Sequence, residues 1–389
     1  VLTTLAVENY RSLRHLVLPL RPLTLVTGAN GSGKSSLYRA LRLLADASRN
    51  GAVAALAYEG GLPSTLWAGP EAGTRAGRPV QGTVRTKSVA LRLGFGGDDF
   101  GYAIDFGLPV PDCDTKFNLD PQIKRECVWT GPVLRPATLL ADRHNGIVRT
   151  RDENGKWLPD AHPIGLVDSM VSEFANPRYA PELVVLRERV RSWRFYDQFR
   201  TDAHAPARAS RIGTRTPVLG NDGADLAAAL QTIREIGDGD ALDKAVDQAF
   251  PGSKVAIVNQ DGRFGVRFRQ HGLLRPLDAA ELSDGTLRYL LWVAALLTPR
   301  PPELLVLNEP ETSLHPDLLP PLAALITTAA VRTQLVVVSH SQVLIRSLLA
   351  AADERGDDFG AIELTKQLGE TTVVGQGRLD GPSWHWPTR

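Results

Sequence analysis

Nine consecutive residues, Gly28-Ala29-Asn30-Gly31-Ser32-Gly33-Lys34-Ser35-Ser36, follow the spacing G-x-x-x-x-G-K-S. Such a loop can wrap phosphate oxygens in backbone N–H groups, because its glycines reach conformations closed to other residues and a helix N-terminus lies behind it. Lys34 would then reach the β- and γ-phosphates, and the Ser35 hydroxyl would bind Mg²⁺. Two further clusters lie far downstream, Asn308-Glu309-Pro310-Glu311 and Ser339-His340-Ser341. Glu309 can polarise an attacking water, and His340 can donate to a γ-phosphate. A fourth segment, Glu281-Leu282-Ser283-Asp284-Gly285-Thr286, supports two readings. Ser283 or Asp284 suits a helix N-cap, or Ser283 and the adjoining N–H groups form a second phosphate site.

The flanking patterns say how these groups are carried. Leu23-Thr24-Leu25-Val26-Thr27 predicts a buried parallel strand before the loop, and Leu37, Leu41, Leu44 and Ala45 predict one face of a helix after it. Leu304-Leu305-Val306-Leu307 and Leu335-Val336-Val337-Val338 are continuous apolar strands about thirty residues apart, room for a helical crossover between parallel neighbours. Glu309 and His340 should therefore emerge at the sheet edge that carries the phosphate loop. Residues 51–79, rich in Gly, Pro and Ala, read as a loop lining the site. Residues 80–148 alternate short β-prone runs with turns, as an antiparallel sheet does. Residues 164–250 read as mostly helical, with an irregular stretch over 203–222. A hairpin is expected from Val255–Val258 and Phe264–Phe268 around Asp261-Gly262. No repeat, low-complexity tract or sustained heptad is present.

The 389 residues suffice for two or three lobes, and 43% hydrophobic content supports real cores. With 44 basic and 43 acidic residues the net charge is +1, so any nucleic-acid surface must be local. Cys113 and Cys127 lie far apart without a C-x-x-C spacing, which suggests neither a metal site nor a disulfide framework and fits a reducing cytoplasm. The first ten residues lack a basic region and a long apolar core, unlike a signal peptide, and the longest apolar run, Tyr289 to Leu297, is too short for a bilayer. No membrane partner is expected.

The order of these motifs resembles an ABC-type ATPase head. It is most similar to the RecF and structural-maintenance-of-chromosomes branch and its stand-alone bacterial relatives, the predicted AAA-family ATPases. Asn9-Tyr10-Arg11-Ser12 resembles the opening strand of that branch, and Glu309-Pro310-Glu311-Thr312-Ser313-Leu314-His315-Pro316 is similar to its E-P-E-x-x-L-H-P run. The resemblance implies an α/β P-loop NTPase fold with a mixed sheet, an antiparallel β-subdomain and an inserted helical lobe. Its expected parts are residues 1–160 and 251–389 forming the head, around a helical insert at 161–250. It also implies that Gly28, Asn30, Gly31, Ser32, Gly33, Lys34, Ser35 and Ser36 hold ATP and Mg²⁺, with Glu309 the hydrolytic base and His340 the switch histidine. Ser283 and Gly285 would serve as the signature loop completing the site of a facing copy, and Ser313 and His315 as a dimer-facing loop. ATP would thus join a homodimer.

Two positions depart from the family pattern. Asn308 stands where an aspartate usually binds Mg²⁺-coordinated water; its amide oxygen still accepts a hydrogen bond but brings no charge, so slow turnover is expected, with Glu309 or Glu311 compensating. Asp284 replaces the first signature glycine and would bring a carboxylate near a γ-phosphate. Gln81 is the candidate for the γ-phosphate-sensing glutamine. The insert between phosphate loop and signature lacks the heptads of a chromosome-type arm and carries no H-E-x-x-H, and the 49 residues after His340 are too few for a metal-dependent nuclease domain. Residues 186–196 combine Arg187, Arg191 and Arg194 with Trp193, Phe195 and Tyr196. They read as an amphipathic helix with a solvated basic face or, less simply, as a DNA contact that Arg208, Arg211 and Arg215 extend. The expected function is an ATP-hydrolysing dimerisation switch in DNA maintenance or phage defence. The alternatives are a hydrolysis-poor clamp controlling an effector protein, and a transporter's nucleotide-binding subunit, which the long insert and Asp284 oppose.

Overall fold

The computed structural model describes residues 1–49, 51–69, 88, 90–152, 154–159, 161–356, 358–377 and 380–389. The chain divides into two compact units, each assembled from separated segments.

The first unit comprises Val1–Arg21, Thr27–Trp193 and Gly360–Arg389. Its frame is an eight-stranded sheet in the order Leu13–Pro19, Leu2–Tyr10, Leu91–Gly97, Phe100–Gly107, Gln122–Thr130, Leu139–His144, Ile147–Thr150 and His162–Pro163. Every neighbouring pair is antiparallel, as the alternating runs and turns predict. Trp129 packs against Gly101, where any Cβ would collide with the indole, and Trp384 lies on Trp129 at 5.7 Å between rings. Deeper in the sheet, Glu126 and Arg143 form a fully buried ion pair at 3.2 Å. Burying such a pair is tolerable only when the remaining donors and acceptors are used. Glu126 accepts from the Tyr102 hydroxyl, Ser169 and the Met170 N–H, while Arg143 donates to the carbonyls of Asn145, Gly165 and Asp168.

The helix Lys34–Ala47 buries Leu37, Leu41, Leu44 and Ala45, the expected face. Of the stretch 51–79 read as a loop, 70–79 lie outside the described residues, and residues 51–69 are not a loop. They fold into the helices Ala52–Tyr58 and Leu62–Thr65, because Ala52, Leu56 and Leu62 are spaced to bury one side of a short helical pair. The arginine-rich helix is Pro181–Ser192 and stops before Trp193, whose backbone is extended.

The second unit comprises Pro22–Val26 and Arg194–Phe359. Leu304–Asn308, Gln334–Val338 and Leu23–Val26 run parallel in that order, with the helix Leu319–Ala330 as the crossover. Beyond Leu304–Asn308 lies a further parallel strand, Arg194–Tyr196, which a helical reading of 164–250 did not anticipate. Three residues are too short to show a period, and their arginine continues the helical spacing of the preceding turn. The other helices of this stretch are Met170–Glu173, in the first unit, and Leu226–Ile236, Gly239–Ala249 and the short 3₁₀ helix Pro206–Arg208. The hairpin Lys254–Gln260 with Arg263–Arg269 turns through Asp261 and Gly262, both at positive φ, as expected of a tight two-residue turn. The core is built around Asp284–Leu296, in which every residue from Leu287 to Leu296 is buried. Among the described residues no helix is long and apolar enough to cross a membrane.

Candidate functional site

In the first unit, Gly28, Gly31 and Gly33 all have positive φ, so the loop bends where only glycine bends freely. Gly28 and Gly33 are also required by space: a Cβ at Gly28 would strike the Leu364 carbonyl and the Ser32 hydroxyl, and one at Gly33 would strike Thr371. Lys34 folds back over the loop, its Nζ donating to the carbonyls of Gly28 at 2.6 Å and Ala29 at 3.0 Å. The helix that follows has no side-chain cap, so its first N–H groups point toward the loop without a competing acceptor from a cap residue. The Ser32 hydroxyl is buried without a partner, a polar atom placed for a ligand oxygen. Ser35 is exposed at the first helical turn.

Thr371 holds this loop from outside. Its hydroxyl donates to the Ser32 carbonyl at 2.8 Å and contacts the Ser12 hydroxyl at 2.8 Å, and its N–H donates to the Ser12 carbonyl. A lone threonine in a C-terminal hairpin carries no sequence signal for that role. Tyr10 and Arg11 both bond Glu59, at 2.6 and 2.8 Å, which anchors the helix Ala52–Tyr58 to the opening strand.

In the second unit, Glu309 follows the last residue of its strand in the left-handed conformation at φ 49, and its N–H donates to Val338 at 2.8 Å. Ser339 donates its N–H to Val26, so the three strands are locked together at their C-terminal ends. The His340 Nδ1 lies 3.5 Å from Glu309 and 3.4 Å from Glu311. The two glutamates differ sharply in exposure, Glu309 at 40% and Glu311 at 5%. Glu311 Oε1 accepts from the Ser339 hydroxyl at 2.7 Å and from the N–H groups of His340 and Ser341 at 3.0 Å each. Oε1 thereby shapes the histidine turn, while Oε2 is buried with no hydrogen-bond partner. Asn308 turns its Nδ2 to Asp197 at 2.7 Å, leaving Oδ1 buried with no partner. An orphaned buried acceptor at that strand end fits a metal-bound water, which donates only.

Ser283 caps the helix Asp284–Leu296, accepting from the Thr286 N–H at 3.2 Å while remaining exposed. Gly285 lies against the Ser313 carbonyl, and Arg288 donates to the Thr312 carbonyl at 2.7 Å, so the signature segment and the loop after Glu309 share one surface. Burial pushes the Arg288 pKa down from its ordinary value. Asp284 is neutralised by Arg208 at 2.7 Å; the same guanidinium donates to the carbonyls of Ala279, Ala280 and Leu282. Arg208 is thus a strut of the segment 279–284 and not part of a surface patch.

The DNA-facing helix also needs correction. Arg187 and Arg191 lie on the helix and each contacts Glu188, at 3.2 and 3.4 Å, whereas Arg194 begins the strand beyond it. Trp193, Phe195 and Tyr196 are buried and offer no ring to a base. Gln81 lies outside the described residues.

Residues 23–346 match the family described as "AAA domain, putative AbiEii toxin, Type IV TA system". No curated protein matches. Among solved structures, the SMC head bound to the C-winged helix domain of ScpA is similar at a TM-score of 0.53 and 12% identity, over 96% of this chain and 97% of that one. The SMC head domain from Thermotoga maritima gives 0.43 at 13% identity, over 96% and 98%. The Smc head with an extended coiled coil from Pyrococcus furiosus, bound to the C-terminal domain of ScpA, gives 0.47 at 12%, over 96% and 95%. The first of these shows the fold: a mixed α/β fold like that of an SMC head.

Proposed function

We propose, because the chain belongs to this AAA-domain family, that it is an ATP-driven dimerisation switch. Gly28 to Ser36 hold the triphosphate, with Lys34 neutralising it and Ser35 and Asn308 facing Mg²⁺. When bound, the ion would supply positive charge to the phosphate oxygens. Glu309 orients and deprotonates the attacking water, and His340 donates to the departing γ-phosphate. Ser283 and Gly285 of a second copy close over the nucleotide, and hydrolysis releases them. The observation that carries the reading is Lys34, held by the carbonyls of Gly28 and Ala29 in a glycine-shaped loop that opens onto an uncapped helix.

The test is ATP turnover in the native chain and in Glu309→Gln. Loss of a positioned base lowers turnover by about 10²-fold or more. Equal rates at background would overturn hydrolysis. The second reading, a clamp that binds ATP but scarcely hydrolyses it and thereby controls an effector protein, is favoured by Asn308. It predicts nucleotide-dependent dimers without turnover. A cytoplasmic role in DNA maintenance or phage defence is supported by the RecF-like and chromosome-type motif order and by the toxin type that the family's description names.

A further inference from the structure

Asn308 removes a negative charge from the position where the motif order calls for one, and the adjoining strand carries one at the same level. Arg194–Tyr196 pairs in parallel with Leu304–Asn308, Tyr196 standing opposite Leu307. The next residues along are Asp197 and Asn308, and residues at equal register in parallel strands project to the same side of a sheet. Their side chains do meet: Asn308 Nδ2 donates to Asp197 Oδ1 at 2.7 Å. The orientation of the amide follows from chemistry, because a carboxylate only accepts and so must face the NH₂ group. The amide oxygen is thereby turned away from Asp197, and it is the atom left buried and unpaired.

We propose that Asp197 is a positioning residue for the metal of this nucleotide site, supplying from the neighbouring strand the charge that Asn308 lacks. It holds the amide in one orientation, presents Oδ1 to a metal-bound water, and polarises the amide so that Oδ1 is a better acceptor. The carboxylate itself stays exposed, one residue beyond the strand. The proposal rests on the reading of the loop as an ATP and Mg²⁺ site.

Mn²⁺, counted by electron paramagnetic resonance as it leaves solution, tests this on the full chain loaded with ATPγS. Asp197→Asn should weaken Mn²⁺ retention about tenfold, as loss of an outer-sphere partner does. ATPγS binding in EDTA should stay unchanged. The exchange variant Asp197→Asn/Asn308→Asp restores one carboxylate and one amide in swapped places and should recover retention. A merely structural Asp197 would instead lower the melting temperature and metal-free nucleotide binding together, with no recovery in the exchange variant, and that result overturns the proposal. So does Asp197→Asn holding Mn²⁺ as tightly as the native chain. If the native chain itself fails to bind ATPγS, the ATP-site reading falls first, which the unmutated protein alone reveals.

Discussion

Glu309 and Glu311 are two positions apart and do unlike work. Glu311 is nearly buried and satisfies three donors of the histidine turn, so Glu311→Ala should cost about 2–3 kcal/mol of stability, seen as a lower denaturation midpoint. Glu309→Gln, at a half-exposed position, should leave that midpoint unchanged while turnover is lost. If both variants lower stability equally, the division of labour is wrong. Gly33→Ala should cost about 1–3 kcal/mol, because φ 111 excludes a Cβ and Thr371 occupies its place. Chemical denaturation followed by Trp fluorescence reads that loss. The bends of the glycine-rich loop were legible because only glycine allows them at that local spacing. Thr371, Asp197 and Arg208 were not, since each acts on a partner brought close only by tertiary pairing. Asp284 illustrates the gap: as a sequence letter it is an unwanted negative charge, and in the fold it is half of an ion pair.

Strands and helices were read well where burial is complete. Leu304–Leu307 and Leu335–Val338 are apolar throughout because helices cover parallel strands, so the strands' outlines survive in the sequence almost to the residue. Arg194–Tyr196 was hidden by its brevity, and Ala52–Tyr58 by the glycines around it. The segment before Asp284–Leu296 depends on Arg208, which is only 9% exposed and, besides Asp284, donates to three carbonyls of that segment and to those of Thr201 and Asp202. Arg208→Ala should therefore cost about 3 kcal/mol, and Arg208→Lys should recover only part, because an ammonium cannot span the same forked set of acceptors. Hydrogen exchange should show the loosening in the amides of 279–286. Protection there equal to that of the native chain would contradict the strut.

Taken together, the charge of the chain is balanced at +1, and the one helix expected to meet DNA keeps its arginines next to Glu188. Arg187→Ala/Arg191→Ala should accordingly leave duplex retention at low salt unchanged; a loss that grows with falling salt would restore that helix as a contact. Assembly is tested by sedimentation of Glu309→Gln, which should shift from one copy to two only when Mg-ATP is added, and should stay single at all nucleotide concentrations if the switch reading is wrong. The pairing of Leu23–Val26 with Leu335–Val338 has a consequence for biosynthesis. The strand that leads into the glycine-rich loop leaves the ribosome some 300 residues ahead of this neighbour. At translation speeds of roughly 5–20 residues per second, the early strand waits tens of seconds with that hydrogen-bonding edge unpaired. Nascent chains of this protein should thus lean on chaperones throughout elongation, and a ribosome stalled before residue 334 would hold a polypeptide unable to complete its central sheet.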